Sequence, residues 1–261
     1  MNRYLKFIKY SFKEQRQYRT NFFASIGTML FNDACFLIIF VIFLEYFTET
    51  WLTFGNFLIL TSMSCLGYGV VHGLFYNIWS LPYIIEQWKL DYYLSFPVNP
   101  LYFLASIKIW IADFWDIIFG TICLFIYAVH YAEAPTWIVI LKGLWVLILS
   151  WIIVLGLYIM VGSISFWVQK GSKIAELFNS TIISFSLYPP EIYKENKMIF
   201  LLMCILLFPW IILPYWIMTG DSTIWQRLLM IVLALIILPF GIFVFNRWLK
   251  RYSSWNLVHQ M

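Results

Sequence analysis

Four long apolar runs, separated by short polar connections, dominate the first two thirds of the chain. They cover residues 22–47, 54–79, 108–127 and 137–166. Each approaches or exceeds the ~20 residues a helix needs to cross a bilayer. The last third carries three further apolar stretches, at 174–188, 198–218 and 224–246. The middle one contains Pro209 and Pro214. Two prolines so close together break a helix, and broken helices at membrane depth are re-entrant or functional.

Charge decides how these stretches cross. Six of the 17 Lys and Arg lie in the first 19 residues. Connections 47–53 and 128–136 hold no Lys or Arg and carry Glu49 and Glu133, whereas 167–173 holds Lys170 and Lys173. The tail adds Arg247, Lys250 and Arg251. The positive-inside rule then places both termini in the cytoplasm and demands an even number of crossings. We therefore expect six spans, with 174–188 as the fifth and the segment around 198–218 as an external re-entrant hairpin. The alternative makes 198–218 the fifth span and 174–188 interfacial. Placing Lys194 and Lys197 outside goes mildly against the rule. Residues 1–20 put Arg3, Lys6, Lys9, Lys13 and Arg16 on one arc and Tyr4, Phe7, Ile8 and Tyr18 on the other. That is a basic amphipathic helix lying in the interface. No small-residue cleavage site follows a short apolar core, so it does not read as a signal peptide.

Composition supports the membrane reading. Of the 261 residues, 62% are apolar and 11% charged. Mean hydropathy is +0.81. So few charges cannot coat a soluble protein of this size, whereas lipid accepts an apolar surface. The expected architecture is an all-α polytopic membrane protein forming one domain over 1–261. Its parts are an elbow helix at 1–20, a cytoplasmic loop at 81–100, an external segment at 189–222 and a cytoplasmic tail at 247–261. Cys35, Cys65, Cys123 and Cys204 are scattered through apolar runs, without the close pairing that zinc sites favour. The net charge of +4 is concentrated where it suits anionic lipid headgroups better than nucleic acid. No GxxxxGK[ST] loop, HExxH pair or GxSxG elbow occurs, so the chain lacks a recognisable energy source or nucleophile of its own.

The loop after the second run carries the most information. Ile84, Ile85 and Trp88 give a short helix one apolar face. Leu90-Asp91-Tyr92-Tyr93-Leu94 follows, and Pro97 and Pro100 end the helical stretch. Such an element suits a groove on a partner, or the lipid surface.

The pattern Leu-Asp-x-x-Leu-x-x-Pro-x-x-Pro-Leu over 90–101 resembles the ATP-binding-cassette (ABC) type-2 export permeases, in particular the subgroup of about 260 residues with six spans. Further stretches agree in order along the chain. Tyr4 to Phe7 and Tyr18 to Phe22 are similar to that family's elbow helix. Leu187-Tyr188-Pro189 with Ile192-Tyr193 resembles its motif after the fifth span. Pro209 and Tyr215 lie in what resembles its re-entrant segment, and Arg247, Tyr252 and Ser253 in its basic tail. One departure is the position before Leu90-Asp91, where glycine is expected and Trp88-Lys89 stands.

The resemblance implies a dimer of permeases, identical or related, seated on a dimer of separate cytoplasmic ATPase subunits in a bacterial cytoplasmic membrane. ATP and Mg would bind that partner, leaving no cofactor, metal or catalytic residue in this chain. Ile85, Trp88, Leu90, Asp91, Leu94, Pro97 and Pro100 would couple it to the ATPase, with Tyr188, Pro189 and Pro209 near the outer gate. Export of an unspecified substrate is the expected direction. A lipid-modifying membrane enzyme and an ion-coupled secondary transporter are the competing classes.

Polar residues inside the apolar runs are the remaining candidates. Asp33 lies deep in the first run, where a carboxylate costs roughly 3 kcal/mol on insertion scales. It either faces a cavity or reaches water at one leaflet. Asp113 and Asp116 are three apart and share a helix face, with Lys108 eight residues before Asp116. They form an ion-pair network at the cavity or are ordinary interfacial charges. His72 falls between Gly69 and Gly73, a small-xxx-small spacing that favours helix packing, with pH sensing as the other reading. Trp51, Trp79, Trp137, Trp167 and Trp248 fall near span ends as interfacial anchors.

Overall fold

The computed structural model describes residues 9, 10, 12–14, 17, 19–46, 53–186, 208–220 and 222–252. Most of the elbow segment, together with Tyr188, Pro189 and 190–207, lies outside these. The described elements are all helical, with no strand among them. Helix α1 spans Arg19–Tyr46 and α2 Phe54–Leu74. The short helices α3 (Tyr76–Trp79), α4 (Leu81–Glu86), α5 (Leu90–Leu94) and α6 (Pro100–Ile107) follow. Then come α7 (Phe114–His130), α8 (Thr136–Ser163), α9 (Gly171–Ser186), α10 (Leu213–Thr219) and α11 (Ile224–Leu249). Three helical stretches are long and apolar enough to cross a membrane: Phe54–Leu74, Thr136–Phe166 and Ile224–Leu249. Phe23–Ile38 and Phe114–His130 are shorter apolar helices.

Helix α2 is the axis of the molecule. Side chains from Phe57 to Val71 are buried, except partly exposed Cys65. Thr53 caps its start, its Oγ1 accepting from the Asn56 N–H at 3.2 Å. Glycines let α7 lie against it. A Cβ on Gly120 would stand 2.8 Å from Leu66 Cγ, and one on Gly69 would stand 2.9 Å from Ile117 Cγ1 and 3.0 Å from the Asp113 carbonyl. Gly55 at the other end meets Tyr131, so α2 and α7 run antiparallel. A second seam joins α8 to α11, where a Cβ on Gly241 would lie 2.6 Å from the Gly156 carbonyl oxygen. Phe166 meets Phe245 at 5.6 Å and Trp167 meets Trp248 at 5.8 Å, which makes this pair parallel. Pro239 sits inside α11 beside that seam.

Two expected spans end differently. The second does not continue to residue 79, because Phe75 leaves helical geometry at φ −121° and ψ 38°. The third begins at Phe114 rather than Lys108. Lys108 is extended, and the Trp110 N–H donates to the Gly73 carbonyl at 2.8 Å. Residues 108–112 thus cross the end of α2 and satisfy a carbonyl the helix leaves open.

In the last third, short helices precede the long α11. Helix α9 has 16 residues, about 24 Å at 1.5 Å per residue. Its final carbonyl, Ser186, accepts from Ser64 Oγ at 3.1 Å, so α9 ends beside the middle of α2. After the undescribed stretch, a π turn at Phe208–Ile212 sets Trp210 edge-on to Tyr68, with centroids 5.1 Å apart. Pro209 is in that turn. Pro214 is the second residue of α10, where a missing N–H costs no helical bond. Gly220, at φ 94°, ends α10 in the left-handed region. Thr223 and Gln226 then cap α11 reciprocally, with the Thr223 N–H donating to Gln226 Oε1 at 2.7 Å.

Candidate functional site

A cavity of about 290 Å³ opens between α1, α2, α7 and α9. Asp33, His72, Asp113 and Asp116, far apart in sequence, all line it. Asp33 comes from α1 and is 9% exposed, with Oδ2 buried and unpartnered among the described residues. Asp113 immediately precedes α7 and Asp116 lies in its first turn, where the helix dipole favours a carboxylate. The glycine contacts at Gly69 hold both against α2. Polar lining also comes from Thr61, whose Oγ1 is likewise buried and unpartnered. Met29, Phe36, Phe119 and Ile183 supply apolar wall.

No cation answers these carboxylates among the described residues, where Lys173–Glu176 is the sole ion pair. Lys108 does not join Asp116 in a network. Its amine lies 5.1 Å above the Tyr76 ring and 6.0 Å from Trp110, because its stretch is extended rather than helical. Nor do three His, Cys, Asp or Glu side chains gather as metal ligands among the described residues.

A polar relay lies between this cavity and a second one. Tyr158 of α8 donates to Asn179 Oδ1 of α9 at 2.7 Å, and its oxygen lies 3.0 Å from His72 Nε2. Beyond it lies a larger cavity of about 560 Å³, lined by Tyr158, Asn179, Tyr83 and Glu176 among others. Ile183 borders both cavities.

The loop carrying the Leu-Asp pattern folds as two short helices with a bend at 87–89. Trp88 makes that bend at φ 57°, in the left-handed region, at the position where glycine is expected. Its ring stacks obliquely on Tyr252 of the tail at 6.1 Å. Burial and the neighbouring Asp91 push the Tyr252 hydroxyl pKa up. Of the residues singled out in this loop, Ile85 and Leu90 are buried against the helices. Asp91, Leu94 and Pro100 are partly buried, whereas Trp88 and Pro97 are exposed. The exposed face also carries Tyr92, Phe96 and Val98, which are 55%, 39% and 43% exposed. Phe96 packs on Phe103 at 4.7 Å, which holds this face in place.

Two contacts bind the loop to α9. Glu86 Oε1 accepts from the Ser172 N–H at 2.6 Å, capping the start of α9 with a carboxylate. Tyr83 donates to Glu176 Oε1 at 2.5 Å, and Lys173 Nζ holds the other oxygen at 2.8 Å. Burial, then this hydrogen bond, pushes the Tyr83 pKa up to about 12. Neither acidic residue stood out in the sequence, because their partners are some ninety positions away.

A family model described as ABC-2 family transporter protein matches residues 29–255. No curated protein and no solved structure matches the chain.

Proposed function

The chain belongs to the ABC-2 family of transporter proteins, and from that premise we propose that it is the permease subunit of a bacterial exporter driven by separate cytoplasmic ATPase subunits. The family match across 29–255 carries the reading. ATP and Mg bind the ATPase dimer, and this chain contributes no catalytic group. Two permeases, identical or related, complete the pore, each crossing the cytoplasmic membrane six times with both termini inside. The stretch up to α10 re-enters from the outer side, with Pro209, Tyr188 and Pro189 near the outer gate.

Local geometry supports a coupling role for the loop. An exposed patch of Trp88, Tyr92, Phe96 and Val98 is the face a partner would cover. Leu90 and Ile85 act from behind, fixing the patch to the helices. Closure of the ATPase would push this lever. The Glu86–Ser172 and Tyr83–Glu176 contacts would pass the movement to α9, whose far end touches α2 beside the acidic cavity.

Affinity capture of the tagged full-length chain from its native membrane tests the reading. A separate ATPase should accompany the unaltered protein. Phe96→Asp, on an exposed side chain, should lose the ATPase while inserting normally. Retention of the same ATPase and the same hydrolysis by Phe96→Asp would refute the assignment of this face.

A further inference from the structure

We propose that the cavity between α1, α2, α7 and α9 binds a hydrophobic organic cation, an amine or quaternary ammonium with an aryl or alkyl body. That this cation is the exported substrate rests on the permease reading; the binding itself does not.

Three carboxylates face one small space with no positive partner among the described residues. Leaving them so is costly in a low-dielectric interior, and a bound cation relieves the cost. Thr61 adds an independent sign. The residue is 1% exposed, borders the cavity, and finds no hydrogen-bond partner for Oγ1 among the described residues. A polar atom so buried calls for a group that reaches it. The charged groups of the lining are all carboxylates, so a cation is favoured over an anion, while Asn32, Ser64, Tyr68 and His72 supply neutral polar groups.

Size and spread separate an organic cation from a metal ion. The carboxylates come from two elements, Asp33 from α1 and Asp113 with Asp116 from the start of α7, around about 290 Å³, and do not gather as a metal's ligands would. That volume is at the lower end of organic ligand pockets, roughly 300–1,000 Å³. Met29, Phe36, Phe119 and Ile183 give the ligand's body an apolar wall. Phe36, Tyr68 and Phe119 place three aromatic side chains in the lining, the residue type that suits a quaternary ammonium. The larger cavity shares Ile183 with this one and lies behind the His72–Tyr158–Asn179 relay, which makes it the approach from the lever side.

Equilibrium binding to the purified full-length chain in lipid nanodiscs provides the test, with labelled benzyltrimethylammonium as the probe. Its neutral carbon isostere, neopentylbenzene, has the same shape without the charge. Saturable binding is expected, displaced by unlabelled cation at least about tenfold better than by the isostere. Asp33→Asn and Asp116→Asn should each weaken binding about tenfold, whereas Glu133→Gln, on an exposed connection, should not. Equal displacement by the isostere, displacement by sodium at matched concentration, or no binding above empty nanodiscs would overturn the proposal. If the aspartate variants fail to fold, the isostere comparison on the unaltered chain still decides. ATPase capture is read separately, so a cation site without an ATPase partner would sink the permease reading alone.

Discussion

Trp88 holds a left-handed backbone angle that costs a residue with a Cβ about 1–2 kcal/mol. Its indole stays because it packs on Tyr252 and enlarges the exposed patch. Comparing two variants that both lack the ring isolates the backbone cost. Trp88→Gly should unfold about 1 kcal/mol later than Trp88→Ala in denaturant titrations of the purified protein. At this scale the sequence was legible in kind but not in direction. The Leu-Asp pattern marked the loop, and the missing glycine at Trp88-Lys89 left its turn geometry open, which the structure resolves as a bend at Trp88. Which side chains face inward was hidden, since the five-residue α5 spreads two leucines and two tyrosines around a single charge, Asp91, too short a stretch to show a face. The four cavity residues were visible one by one as polar positions in apolar runs. Thr61, Tyr158 and Asn179 were not, because hydroxyls and amides are common enough in membrane helices to carry little signal alone.

Helix seams set the next scale. On α2, Gly69 and Gly67 differ by two residues and opposite surroundings. A Cβ at Gly67 would meet nothing nearer than Trp210 at 3.7 Å, whereas at Gly69 it would press on the Asp113 backbone at 3.0 Å. Gly69→Ala should therefore cost about 1–3 kcal/mol through overpacking. Gly67→Ala should be neutral, or gain up to about 1 kcal/mol from helix propensity. Thermal unfolding of the two variants checks the pair. The small-xxx-small spacing around His72 announced this close packing, and the apolar runs located α1, α8 and α11 within a few residues and the start of α2. The start of α7 was not readable. Residues 108–112 are apolar enough to continue a span, and only the open Gly73 carbonyl at the end of α2 explains why they run across it instead.

Across the whole molecule, hydrogen bonds run from the 81–100 loop to α9 and from the end of α9 to α2 beside the acidic cavity. Removing the Glu86 carboxylate should loosen the first of these connections. Glu86→Ala should cost about 1 kcal/mol as a lost helix cap and speed amide exchange at Ser172 about fivefold. The Tyr83–Glu176 contact adds a pH signature. Folding raises the Tyr83 pKa from 10.0 to about 12, so its stabilisation is complete below about pH 10 and lost as the pH climbs through about 12. Tyr83→Phe should be less stable than the unaltered protein at neutral pH, and the gap should close as titration passes that range. The all-helical, membrane-embedded character was plain from the long apolar runs and the low charge. These latches were not, because a contact between residues near 86 and 172 depends on how four helices stack rather than on any local pattern.

A photo-crosslinking residue at position 92, in living cells, interrogates the central claim most directly. The exposed lever face predicts a covalent adduct between this chain and a peripheral ATP-hydrolysing protein. Adducts with lipid alone, or none under conditions where the chain is inserted and folded, would contradict it.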